Sequence, residues 1–189
     1  MIKKGPADFR AVLLSNKPYE DKDFPHDHRA IHPDERSPDI KWARARQIVP
    51  HASTFGAKNE PWDIAQGDLG DCYFLAACSS IAERDERIKK IFVPEVWSYP
   101  EEGIYAFQVF VRGKPTVVTI DDYLPYKGSG NYKELVYEKQ ARDGGIWGPL
   151  LEKVWAKTNG YYMHIDGGLP VEAFDFLTGA PSKRYSTDT

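Results

Sequence analysis

The chain has 189 residues, two of them cysteine, and a formal net charge of −3 at pH 7. That length fits one domain or a large piece of a longer protein, and it buries roughly 70% of the unfolded surface, enough to need no covalent staple. The mild charge, with Lys and Arg spread along the chain, argues against nucleic acid as a partner, and no apolar run approaches the roughly 20 residues of a membrane span.

Met1-Ile2-Lys3-Lys4 is not followed by an apolar segment, so a secretory leader is not expected. Residues 1–38 are polar and rich in Pro, Asp and His. They read as an extended arm laid over a core, or as partly disordered. His26, His28 and His32 sit there among prolines and charges, and read as loop residues rather than metal ligands. Between 39 and 48, Trp42 and Ile48 are buried candidates on a short helix or extended segment. Residues 51–65 read as a loop of small residues.

The stretch Gln66-Gly67-Asp68-Leu69-Gly70-Asp71-Cys72-Tyr73-Phe74-Leu75 changes character at Cys72. It begins polar and glycine-rich and turns apolar, as a tight loop does when it feeds a buried helix. The pattern predicts a helix over 72–83, with Asp71 capping it from its side chain. Cys72 then falls in the first turn, where unpaired amides and the positive dipole end favour an anion. A thiol there, with the neutral amide of Gln66 across the loop, makes half of a cysteine acyl-transfer site. Cys78, deeper in the apolar helix, reads as an inert small hydrophobe. Six residues from Cys72 on one helix, it points elsewhere and cannot bridge to it. With no disulfide and no C-x-x-C, a reducing, cytoplasmic setting without a cysteine-held metal is expected.

A charged turn follows at 83–87, then a short helix or turn over 88–93 closed by Pro94. Residues 104–111 and 116–121 are aromatic and β-branched around the turn residues 112–115, and predict a hairpin. Asp121-Asp122-Tyr123-Leu124-Pro125 is expected to end its second strand, with 127–131 a surface loop. Over 147–157, Trp147, Leu150, Leu151, Val154 and Trp155 fall at helical spacing, with Asn159-Gly160 as the stop. Asp166-Gly167-Gly168 makes a loop, and 170–177 a short helix begun by Pro170 and closed by Gly179. The predicted class is α+β, mainly helical around the central 72–83 helix with one small antiparallel hairpin. It divides into an arm (1–38), a core (39–180) and a tail (181–189).

Several blocks, in this order, resemble landmarks of the calpain family of intracellular cysteine proteases. They are Tyr19-Glu20-Asp21-Lys22-Asp23-Phe24-Pro25, Gln66 through Ala77, Gly103-Ile104-Tyr105 with its hairpin, Ile120 through Pro125, Leu150 through Tyr162, Asp166-Gly167-Gly168 and Phe176-Leu177-Thr178-Gly179. The resemblance implies the first, cysteine-bearing half of a papain-like protease core. It assigns Cys72 as nucleophile and Gln66 as oxyanion donor. It places the histidine base and its orienting asparagine on a second half, for which these residues hold no match; His164 reads as an exposed loop residue. Gly167 and Gly168 would border the substrate cleft, with Gly168 the one in direct contact. The resemblance also implies a calcium site made by the Asp63 carboxylate and the backbone carbonyls near Gly56 and Lys58. Gly145 stands where the family has a glutamate, which weakens that site; Asp143, beside Gly144 and Gly145, is an alternative carboxylate. Pro61 stands where the family has an arginine that couples the site to the second half. The implied function is a calpain-type cysteine endopeptidase acting on protein substrates, inactive without the second half. The alternative is a non-catalytic regulatory or protein-binding module.

Overall fold

The computed structural model describes residues 4–56, 64–183 and 185. Its elements run α1 (Phe9–Leu13), α2 (His28–Ile31), β1 (Lys41–Arg44), α3 (Ala45–Ile48), α4 (Cys72–Ala82), α5 (Asp85–Lys89), β2 (Ile104–Val111), β3 (Lys114–Asp121), β4 (Tyr123–Ser129), β5 (Tyr132–Leu135), α6 (Trp147–Asn159) and α7 (Pro170–Thr178). Single 3-10 turns occupy Pro94–Val96 and Tyr162–Ile165. The class is α+β, with helices and two small antiparallel sheets.

The expected hairpin is β2–β3, paired from Ile104 opposite Asp121 to Val111 opposite Lys114. Arg112 and Gly113 join the strands with φ of 51° and 72°, the left-handed pair that a tight hairpin turn requires. The second strand ends at Asp121, as expected, but the loop expected at 127–131 does not hold. A new strand, β4, starts at Tyr123, runs to Ser129 and forms the middle of a second sheet ordered β1-β4-β5. Pro125 is tolerated because a proline removes only a donor; its carbonyl accepts from Val136 N–H at 3.1 Å. The second charged segment also differs: the helix is Asp85–Lys89, and Pro94 opens a 3-10 turn instead of closing a helix, as suits a residue with no N–H to lose at a first turn.

α4 and α6 lie in the core. α4 buries Tyr73, Phe74, Leu75, Ala77, Cys78, Ile81 and Ala82. In α6 every residue from Trp147 to Lys157 is buried, so the helix has no solvated face over its first three turns. Three charged side chains are therefore taken inside: Glu152, Lys153 and Lys157. Lys153 Nζ pairs with Asp121 Oδ1 at 2.5 Å and donates to the carbonyls of Asp121 (3.0 Å) and Tyr123 (2.6 Å). Lys157 Nζ pairs with Asp21 Oδ2 at 2.6 Å and donates to Thr119 O at 2.7 Å.

The second of these pairs fastens the N-terminal arm. Asp21 accepts from the amides of Asp23 and Phe24, and its own amide donates to Asp121 Oδ2. Phe9, Phe24, Ala30 and Ile31 of the arm are buried against the core. Burial pushes the Asp21 carboxyl up and the Lys157 ammonium down, each against the attraction of its partner. Desolvation of both charges opposes the pairing, and the surrounding carbonyl and amide bonds offset it.

α6 ends at Gly160 (φ 113°) and α7 at Gly179 in the left-handed region (φ 67°), as the glycine positions predicted. No described helix is long and apolar enough to cross a membrane.

Candidate active site

Cys72 is the first residue of α4 and is exposed, while Cys78 is fully buried. Burial pushes the Cys78 thiol well up, which leaves it inert. The loop before Cys72 is tied to its surroundings along its length. Lys139 N–H donates to Ala65 O (2.9 Å) and Asp68 N–H to Val136 O (3.0 Å). Lys127 Nζ pairs with Asp68 at 2.6 Å. Gly67 lies flat against the carbonyls of Val136 and Tyr137, where a Cβ would have no room. The Gln66 side-chain amide donates to Leu69 O, so it closes its own loop rather than standing free.

The predicted site segments meet at Gly70. Its N–H donates to Asp166 Oδ1 at 2.8 Å, and its carbonyl accepts from Gly167 N–H at 2.9 Å. The Asp166-Gly167-Gly168 loop is thereby clasped to the residue two before Cys72. Gly167 has φ 78° and open space on its missing-Cβ side. Gly168 differs: a Cβ there would run into the Tyr73 ring. Direct contact with a substrate was expected of Gly168; its lack of a side chain is already required by Tyr73, and the open face belongs to Gly167. The Tyr73 hydroxyl donates to Ile165 O (3.2 Å) and accepts from Trp155 Nε1 (3.0 Å). Trp155 in turn stacks on Phe74 with rings 5.4 Å apart and 2° from parallel. The first turn of α4 thus rests on an aromatic floor. We expect Gly168→Ala to destabilise the fold by about 1–3 kcal/mol through overpacking, read as a lower urea midpoint. An unchanged midpoint would mean that Tyr73 yields freely.

Asp71 corrects a second expectation. It is the N-cap residue of α4, but its side chain makes no capping bond. Its carbonyl takes that part, accepting from Phe74 N–H (2.8 Å) and Leu75 N–H (3.1 Å). The carboxyl turns inward, is fully buried, and has no partner in the N–H groups of other residues. It faces Glu152, with Glu138 close by, and both of these are also buried. Burial raises the Asp71 carboxyl to about 6, and pushes Glu138 and Glu152 well above the usual carboxylate range. The Glu138 carboxyl packs against Gly148, where no Cβ would fit, and meets no partner. Neither Glu138 nor Glu152 stood out in the sequence. Glutamates read as solvated, and only a helix buried on all sides takes Glu152 inside.

The histidines are occupied elsewhere. His164 Nδ1 lies 2.8 Å from Asn159 O, and its ring stacks on Tyr161 at 3.8 Å. His26 stacks on Tyr123 and His32 meets Tyr161 edge-on; His28 lies in α2 and His51 in an exposed turn. Among the described residues none is hydrogen-bonded to Cys72.

For the expected calcium site, Asp63 and Lys58 lie outside the described residues. Gly145 is joined to the loop at Gly56: Ser53 bridges to Gly145, and Ile146 N–H donates to Ser53 O at 3.1 Å. The Asp143 carboxylate lies against Gly56 and accepts from Gly145 N–H at 3.2 Å. A carboxylate therefore does stand beside Gly56 despite the glycine at 145. Among the described residues no group of three or more His, Cys, Asp or Glu side chains is arranged to hold a metal ion.

A family model described as calpain family cysteine protease matches residues 19–189. A calpain of Schistosoma mansoni is 37% identical over 166 residues, covering 85% of this chain and 21% of that protein. Calpain-A of Drosophila melanogaster is 34% identical over 180 residues, covering 93% and 21%. The calpain-1 catalytic subunit of Gallus gallus is 34% identical over 148 residues, covering 77% and 20%. The chain spans about a fifth of the length of these curated relatives.

Proposed function

The chain belongs to the calpain family of cysteine proteases, and we propose that it is the nucleophile-bearing half of a calpain-like endopeptidase with a papain-like core. The observation that carries this reading is an exposed cysteine opening a buried helix, beside a glycine loop clasped to the residue two before it. The Cys72 thiolate attacks a peptide carbonyl carbon, and the carbonyl oxygen takes the negative charge. Gln66 Nε2 and the Cys72 amide stabilise that oxygen, each donor contributing roughly 3–4 kcal/mol in comparable sites. For this Gln66 leaves Leu69 O. Collapse breaks the C–N bond, the amine leaves with a proton from a histidine, and water then releases the acyl group from sulfur. In this reading the histidine and its asparagine come from a second half, and these residues alone do not turn over peptide. The protein works on protein substrates in a cytoplasmic setting.

Calcium enters the proposal as a weak structural ion. Asp63, the carbonyls of Gly56 and Lys58, and Asp143 in place of the missing glutamate would hold it. Calcium prefers six to eight oxygens with carboxylate charge, and an ion held there would supply local order rather than chemistry.

A peptidyl epoxide and an unstructured peptide substrate test the catalytic reading. The full-length protein is expected to be labelled at Cys72 and to cleave the peptide, and Cys72→Ala to lose both. Residues 1–189 alone are expected to show no measurable turnover. Cleavage surviving Cys72→Ala would overturn the assignment, and a full-length protein that is never labelled would favour a non-catalytic binding module.

A further inference from the structure

We propose that Glu152 is a positioning residue for Cys72: held in its protonated form, it donates a hydrogen bond to the Asp71 carboxylate and so fixes the nucleophile loop on α6. The inference rests on the reading of Cys72 as nucleophile.

The argument begins from Asp71. Its backbone starts α4 and its neighbour is Cys72, so whatever fixes its side chain fixes the sulfur's attachment point. Its two carboxyl oxygens are buried and have no partner in the N–H groups of other residues. A buried carboxylate left that way is costly. The group facing it is another carboxyl, Glu152. Two carboxylates repel, but one carboxylate and one carboxylic acid share a proton in a strong hydrogen bond.

Burial raises Glu152 further than Asp71, which places the proton on Glu152. Glu152 Oε1 accepts from Glu138 N–H at 3.0 Å, which orients the carboxyl and leaves its other oxygen to meet Asp71. The charged and titratable groups around the pair are all acidic. Glu138 and Tyr137 face it from the segment between β5 and α6, Cys78 from α4 and Tyr162 from the turn after α6, while Asp166 acts on Asp71 across the clasp. Lys153, next along α6, reaches away to Asp121. No described cation acts on either member, so a proton is the available counter-charge. Burial favours the same state, raising both groups above their ordinary values.

Glutamine is the diagnostic replacement. At 152 its carbonyl accepts from Glu138 N–H and its amide donates permanently to Asp71. Glu152→Ala instead leaves Asp71 without a donor. The readouts, in the full-length protein, are the rate at which a peptidyl epoxide labels Cys72 across pH 6–9 and the infrared band of protonated carboxyl groups at neutral pH. The wild-type labelling rate is expected to fall off at the alkaline end as the shared proton is lost. Glu152→Gln is expected to match wild type at pH 6, to keep its rate at pH 9, and to lose part of the infrared band. Glu152→Ala, checked for folding by circular dichroism, is expected to label about tenfold or more slowly, as misplaced reacting groups do. The proposal is overturned if Glu152→Gln keeps the full band, or if it shows the same alkaline fall as wild type. It is equally overturned if a folded Glu152→Ala labels normally. Should Glu152→Ala not fold, the comparison of wild type with Glu152→Gln decides. A wild-type Cys72 that never labels would defeat the catalytic reading instead, while the infrared comparison would still judge the hydrogen bond.

Discussion

Lys157→Ala is expected to destabilise the fold by about 3–5 kcal/mol, the usual cost of stranding one member of a buried ion pair. Lys157 and Asp21 are both closed off from solvent and lie 2.6 Å apart, so the variant leaves a carboxylate in the core held by the Asp23 and Phe24 amides, with Lys153 as the remaining cation acting on it. The loss should fall on the arm, whose buried side chains depend on Asp21 holding its turn. Urea unfolding gives the size of the effect, and hydrogen exchange at Asp23 and Phe24 gives its place. A second variant separates charge from packing. Lys157→Met with Asp21→Asn removes both charges while the asparagine oxygen still accepts from the turn amides, so most of the stability should return. A single-variant cost below about 1 kcal/mol would put the pair among those that contribute little.

Glu138→Met is expected to stabilise the protein, and more at pH 8 than at pH 5. The Glu138 carboxyl is buried without a partner, and such a group costs about 1–3 kcal/mol. The pH dependence follows from its sign. Burial raises the carboxyl well above its ordinary range in the folded state, whereas in the unfolded chain it titrates near about 4.3. The folded state then holds a proton that the unfolded state releases, so stability is full below that value and declines as pH rises toward the folded one. Asp71 and Glu152 slope the same way. Methionine removes one of the three contributions. The comparison is of urea midpoints for the two proteins at both pH values; a gain equal at pH 5 and pH 8 would mean that Glu138 does not carry its proton in the fold.

The parts of the fold that were legible in the sequence are those written in local pattern. The β2–β3 hairpin follows from two β-branched runs around a turn, and α6 from its apolar spacing. Cys72 at the head of α4 follows from glycines and an aspartate before an apolar run. What was missed depends on partners distant in the chain. β4 is a strand because β1, about 80 residues earlier, pairs with it; read alone, Pro125 and Gly128 are turn residues. Asp71 reads as a cap because most aspartates before helices are caps, and only the pocket beneath it draws the carboxyl inward. Lys153 and Lys157 look like the wet face of an amphipathic helix until Asp121 and Asp21 are seen waiting for them. The clasp between Gly70 and Asp166-Gly167 joins loops about a hundred residues apart, and no spacing rule announces it.

The Asp21–Lys157 pair has a consequence for how the chain is made. Its members are separated by 136 residues. At about 5–20 residues per second of synthesis, the arm is made on the order of ten seconds before its lysine exists. Through that interval Phe9, Phe24 and Ile31 have no finished core to enter, and the Tyr162–Ile165 turn after α6, on which Phe24 and α2 pack, is made later still. The arm is thus made well before its partners and settles late, and its docking reports that α6 and the turn after it are in place.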